Sequence, residues 1–216
     1  MNQKYLLFDL DGTLTDSEEG IAKSVAFALE HMGIHETDQE NLRRFIGPPL
    51  MDSFTGYYGM TEEEAVAAIR KFDERYNDVG LFENRVYEGI PQLLADLKAA
   101  GKKLILATSK PLPLARRIMD RFELTQYFDD LQGPAGHGNL DRKQDVVAKA
   151  LEENGITDLS EAIMIGDRLH DVLGARACGL DCVGVLYGFG DRSEMEKYEA
   201  AYIAETVEEV RKLFGV

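Results

Sequence analysis

The chain has 216 residues, of which 44% are hydrophobic and 29% charged, and its formal net charge is −15. That composition supports a sizeable core and a solvated surface, on the scale of one domain with an insertion or of a larger and a smaller domain. The charge argues against a broad grip on a nucleic acid polymer or an anionic membrane, and an anionic substrate would need a divalent cation and a few placed Lys or Arg side chains to reverse the local sign.

The first predicted element is a strand over 4–8, a continuous apolar run that suits a strand buried on both faces of a parallel sheet. No basic leader with a long apolar core precedes it, so a soluble, cytoplasmic protein is expected. Residues 16–83 then carry helical patterns and no convincing strand. Over 18–32, Ile21, Val25, Ala28, Leu29 and Met32 fall on one helical face. Shorter helices follow over 41–46 and 50–57, split by Gly47-Pro48-Pro49, and a longer one over 61–77 opens with Thr61 and Glu64 as a capping box. Strands and helices alternate from there. Helices are predicted over 90–99, 113–122, 143–154, 172–178 and 206–214, the last with Thr206 and Glu209 as a capping box. Strands are predicted over 103–107, 162–165 and 182–186, with a weaker one near 128–132. The alternation indicates an α/β fold, a doubly wound parallel sheet built from 1–15 and 84–216, with 16–83 as a small inserted four-helix domain. Cys178 and Cys182 have no His ligands nearby and are expected to be buried thiols, not a zinc site.

Four features follow predicted strand ends, the edge where open α/β sheets bind ligands. The first is Asp9-Leu10-Asp11-Gly12-Thr13, two carboxylates with a glycine that lets the backbone turn closely around an anion. The second is Thr108-Ser109, the third is Lys143 at the start of a helix, and the fourth is Gly166-Asp167 with Asp171 four residues on. Phosphoryl transfer uses such a set. Mg2+ takes hard oxygen ligands, which Asp9 and Asp167 can supply. A carboxylate nucleophile can form an acyl-phosphate, and a second carboxylate can protonate the leaving alkoxide and then activate water. A hydroxyl and a lysine offset charge on the phosphoryl oxygens.

In this order, from Lys4 to about Val185, the motifs resemble those of the haloacid dehalogenase superfamily of phosphatases: a DLDGT start, a Ser/Thr strand end, a lysine and the GDRLHD run. The helical insert resembles that superfamily's C1 cap on a Rossmann-like core. Within the superfamily the chain is similar to phosphoglycolate phosphatase-like and 5′-nucleotidase-like members. The resemblance implies Asp9 as nucleophile and metal ligand, and Asp11 as acid/base with its carbonyl on the metal. It implies Thr108 as a phosphoryl contact, Lys143 as the neutralising cation, Asp167 as a Mg2+ ligand, and Asp171 as support for the metal site or the lysine. The run RFIGPPL over 44–50 resembles the cap loop that reads the substrate, so Arg44 and Gly47 are expected specificity residues and the insert is expected to close over the substrate. Ser109 stands where Asn is common, and Lys110 is a further candidate phosphate contact. The implied substrate is a small phosphorylated metabolite, 2-phosphoglycolate or a nucleoside 5′-monophosphate, and the implied assembly is a monomer or homodimer. A sugar phosphomutase and a phospho-acceptor signalling module are the alternatives.

Plainer readings stand beside these. Asp167 and Thr108 could be helix or turn caps, Lys143 a surface lysine, Arg43 and Arg44 solvated helix residues, and Gly47-Pro48-Pro49 a helix break. His31, His35, His137 and His170 lack metal-ligand spacing and are expected at the surface. Gly133 to Gly138 mimics P-loop spacing, but Asn139 and Leu140 replace its Lys and Ser/Thr, which rejects nucleoside triphosphate binding there.

Overall fold

The computed structural model describes residues 1–136 and 142–216; His137, Gly138, Asn139 and Leu140 lie outside the described residues. In chain order the elements are β1 (Tyr5–Phe8), β2 (Thr15–Asp16), α1 (Glu18–His31), α2 (Gln39–Arg43), α3 (Leu50–Tyr58), α4 (Glu62–Tyr76) and β3 (Arg85–Val86). They continue with α5 (Ile90–Ala99), β4 (Lys103–Ala107), α6 (Leu112–Arg121), β5 (Asp130–Gln132), α7 (Lys143–Glu153), β6 (Ala162–Gly166), α8 (Leu169–Ala177), β7 (Asp181–Val185), α9 (Arg192–Lys197), β8 (Tyr202–Ala204) and α10 (Val207–Phe214). Two compact units result, Met1–Thr15 with Val86–Val216, and Asp16–Arg85. The chain crosses between them in the two short strands β2 and β3.

The larger unit is a six-stranded sheet in the order β5-β4-β1-β6-β7-β8, with every neighbouring pair parallel. The apolar run of β1 explains its central place. Leu7 joins Ile105, Met164 and Cys182 on the face packed with Val146, Val147, Ala150, Val172 and Ala175 of α7 and α8. Leu6, Phe8, Leu104, Leu106, Ile163 and Ile165 alternate with that set and are fully buried as well. Each such side chain contributes roughly 1.5–3 kcal/mol when fully buried, so neither face of β1 can turn to solvent cheaply.

The smaller unit holds α1 to α4. Ile21, Val25, Ala28 and Leu29 are buried on one stripe of α1, which packs on α4. The capping box of α4 is complete: Glu64 N–H donates to the Thr61 hydroxyl, and Thr61 N–H donates to the Glu64 carboxylate at 2.8 Å. Phe45 and Phe54 meet edge-on with ring centroids 4.9 Å apart.

Several expectations are corrected. α2 begins two residues before the predicted start because the Asp38 carboxylate accepts from Glu40 N–H and caps it there. α8 begins at Leu169, not 172, because the Asp171 carboxylate accepts the Arg168 N–H. At α10, Thr206 caps Glu209 N–H, but the Glu209 carboxylate turns to Glu205 N–H, so the predicted box is only half formed. The short strands β2, β3 and β8 and the helix α9 were not expected. Cys182 is buried, whereas Cys178 is only partly so and lies 3.3 Å from the Gln144 carbonyl. Among the described residues, no helix is long and apolar enough to cross a membrane.

Candidate active site

Sheet register places the chemistry. Phe8 pairs with both Leu106 and Ile165, so β1, β4 and β6 end together. Asp9 follows at the centre of that edge, its N–H donating to the Ile165 carbonyl. Thr108 follows β4 and Asp167 follows β6, which brings three of the four sequence features to one rim. Lys143 opens α7, which packs beneath β4.

Lys143 is buried, and its Nζ lies 2.8 Å from Asp9 Oδ1, 2.8 Å from Asp171 Oδ1 and 3.0 Å from the Ala107 carbonyl. Three ammonium protons thus meet three acceptors. Burial works against the charged lysine, yet Asp171 and Asp9 outweigh it and hold its pKa above the ordinary value. The surface-lysine reading is excluded, and the neighbouring Arg142 is the exposed one. Burial pushes Asp9 up to about 6, with Lys143 pulling the other way and Asp171 adding to the rise.

Asp167 is fully buried. Its Oδ2 accepts the Phe189 N–H at 2.8 Å, and its Oδ1 lies 3.4 Å from the Thr13 hydroxyl. Gly12, at φ +84°, lies against this carboxylate so closely that a Cβ there would overlap it. Burial and then the Asp171 and Asp9 charges raise the Asp167 pKa well above the usual carboxylate range. Asp9, Asp167 and Asp171 each present an oxygen within 4.8 Å of the others. Asp171 is already committed to Lys143 and to the Arg168 N–H. Among the described residues, the carboxylates of Asp9, Asp11, Asp167 and Asp171 gather here with the ammonium groups of Lys143 and Lys110. An all-oxygen donor set of this kind fits a hard divalent cation, which Asp9 and Asp167 could hold.

Asp11 has its own counter-ion: Lys110 Nζ lies 2.6 Å from Asp11 Oδ2. Lys110, a candidate phosphate contact, here pairs with a carboxylate of the site. The buried Thr108 hydroxyl accepts the Lys110 N–H at 3.2 Å, which leaves its own proton to donate. Ser109 is half-buried beside it. Arg44 and Gly47 belong to the smaller unit, where Arg44 closes α2 and lines a hollow of about 340 Å³ with Glu36, Asn41, Gly56, Tyr57 and Tyr58. His170 departs from the expected surface position. It is half-buried at the start of α8, and burial lowers its pKa, as do the Arg168 and Lys143 charges. Sequence reasoning also missed the 188–190 segment that contacts Asp167. Its signal was present as Gly188-Phe189-Gly190 just past a strand, a pattern that permits close backbone approach.

Residues 6–185 match the family described as haloacid dehalogenase-like hydrolase. A Pseudomonas aeruginosa protein named 5′-nucleotidase is 41% identical over 208 residues, covering 96% of this chain and 94% of that one. The tyrosine-protein kinase PtkA of Mycobacterium tuberculosis is 39% identical over 98% of this chain and 72% of its own length. A predicted phosphatase from Clostridium acetobutylicum superposes with a TM-score of 0.95 at 44% identity, covering the whole of both chains. The chain belongs to the haloacid dehalogenase-like hydrolase family.

Proposed function

We propose that this hydrolase is a divalent-cation-dependent phosphomonoesterase that works through a phospho-Asp9 intermediate on a small phosphorylated metabolite, with nucleoside 5′-monophosphates the leading substrate class. The observation that carries the mechanism is the separate compensation of two carboxylates two residues apart, Asp9 by Lys143 and Asp11 by Lys110. The 41% identical relative named 5′-nucleotidase supports the substrate class.

An Asp9 carboxylate oxygen attacks phosphorus and the ester P–O bond breaks. Asp11 takes up a proton as the negative charge of the phosphate ester arrives beside it, and gives that proton to the departing alkoxide. In the second half-reaction Asp11 takes a proton from water as that water attacks the acyl-phosphate, which returns Asp9 and inorganic phosphate. Lys143 fixes the Asp9 carboxylate and keeps it ionised as a nucleophile; reaching a phosphoryl oxygen requires it to share one of its three bonds. Thr108 donates its hydroxyl to the phosphoryl group. Asp9 and Asp167 would hold Mg2+, which when bound supplies Lewis-acid stabilisation of the phosphoryl oxygens. Turnover is favoured over storage of the phosphoryl group because the acid/base stands two residues from the acceptor.

The test is a panel of nucleoside 5′-monophosphates, 2-phosphoglycolate and hexose phosphates with Mg2+, scored by released phosphate and by isomerised sugar. Asp9→Asn, verified free of deamidation, should lose at least ~10³-fold in kcat. Near-parental turnover by that variant would overturn the covalent route, and isomerised sugar without released phosphate would replace hydrolysis with mutase chemistry.

A further inference from the structure

The segment after β7 wraps Asp167. Phe189 donates its N–H to Asp167 Oδ2. A Cβ on Gly188 would overlap Gly12 and Asp167, and one on Gly190 would overlap the Asp167 backbone, so the backbone here lies directly against the carboxylate-bearing turn. Tyr187 Oη, 3.2 Å from the Thr13 carbonyl, joins the same segment to the turn after β1.

A single backbone N–H orients a carboxylate only if its own segment is held. α9 provides the hold. Asp191 caps it by accepting the Glu194 N–H at 2.8 Å, and the fully buried Met195 plugs against Gly184 and Gly190. Glu194 then reaches back to the other side of Asp167. Its Oε1 accepts the Leu169 N–H at 2.7 Å and lies 3.0 Å from Arg168 Nε, with both side chains mostly buried. Asp167 therefore sits in a clasp. The chain leaves it through Arg168 and Leu169, returns as 188–190, and the two passes are tied by one carboxylate.

We infer that Glu194 is a positioning residue for the divalent-cation site, tying α9 to the start of α8 so that the Phe189 N–H holds Asp167 in its ligating orientation. This rests on the reading of Asp9 and Asp167 as cation ligands. Glu194 is not one of the carboxylates that gather at the proposed cation site; it acts through the backbone. The physical warrant is that removing a group that orients a metal ligand typically costs about 10–100-fold in metal affinity.

The experiment measures Mn2+ binding directly, by electron paramagnetic resonance titration of the full chain without substrate, beside thermal melts. Glu194→Ala should weaken Mn2+ binding about tenfold and alter the bound-ion spectrum. Glu194→Gln keeps an oxygen for the Leu169 N–H and should recover most of the affinity, a rescue that a loss of general stability would not track. Should Glu194→Ala fail to fold, Arg168→Gln breaks the guanidinium half of the tie, with about threefold weakening expected. Unchanged Mn2+ affinity in a folded Glu194→Ala, or in Arg168→Gln where that variant carries the test, overturns the inference. Absence of Mn2+ binding by the parent chain overturns the cation-site reading and this inference with it.

Discussion

Lys110 Nζ lies 2.6 Å from Asp11 Oδ2, with side chains only 7% and 14% exposed. So sheltered an ion pair fixes the carboxylate's rotamer in the resting site. If Lys110 works through Asp11, Lys110→Met should lower kcat about 10–100-fold, a part of what general acid–base catalysis contributes, with KM within about threefold. A steady-state titration of phosphate release separates this from direct phosphate binding, in which KM would carry the loss.

Gly12 occupies φ +84° with the Asp167 carboxylate directly against its Cα. Gly12→Ala combines backbone strain with a clash at a proposed metal ligand. The strain alone costs on the order of 1–3 kcal/mol, and the clash displaces Asp167. A clear fall in melting temperature together with near-complete loss of phosphate release is expected. A variant that melts lower yet binds Mn2+ like the parent would show that the turn yields without moving Asp167.

Asp171 divides its two oxygens between Lys143 and the Arg168 N–H. Asp171→Asn retains one oxygen, so one of the two bonds is lost. Loss of the cap at α8 costs about 1 kcal/mol. Loss at Lys143 frees the ammonium to drift from Asp9, and kcat should fall by about tenfold or more. Stability and rate, measured on the same preparation, reveal which bond the amide oxygen keeps.

The parts of the site that were legible share a cause. Asp9, Thr108 and Asp167 each stand just past a continuous apolar run, and such a run announces both the strand and where it ends. Lys143 was readable as a helix start, but its burial depends on Asp9, Asp171 and Ala107, which are remote in sequence. The hold on Asp167 was not legible, because it is made by a backbone N–H at Phe189 and by a Glu194 carboxylate bonded to another backbone N–H. The flanking Gly188 and Gly190 allowed a close backbone approach but did not say to what, and the Glu194 contact leaves no signature in side-chain type. β8 was missed because three residues, Tyr202–Ala204, with only Ala204 fully buried, carry too little pattern for a period to show. α2 starts two residues before the predicted 41 because the Asp38 carboxylate caps it there.

The last prediction concerns pH and metal together. Asp9 is raised to about 6 from an ordinary 3.8, and Asp167 also stands well above that value, in each case chiefly through burial. A carboxylic acid whose folded pKa exceeds its unfolded one binds its proton more tightly when folded. Without metal Asp9 therefore destabilises the fold most above about pH 6, and its penalty is relieved as pH falls from about 6 toward 4; Asp167 acts in the same sense. His170 works in the opposite sense, since its lowered pKa makes protonation below pH 6.5 unfavourable to the fold. Carboxylates with lowered values, such as Glu83 and Asp129, lose their contribution only as pH falls below about 4.5. A bound cation competes with the protons on Asp9 and Asp167, so its stabilising effect should grow as those protons leave. The melting temperature in saturating Mg2+ minus that in chelator cancels most of the His170 contribution and isolates the site. That difference should be small at pH 5 and rise steadily to pH 7.5 in the parent chain. It should flatten in Asp167→Asn, which removes the charge that both proton and cation share. A difference that is independent of pH in the parent, or larger at pH 5 than at 7.5, would mean that the cation is held by groups other than these two carboxylates.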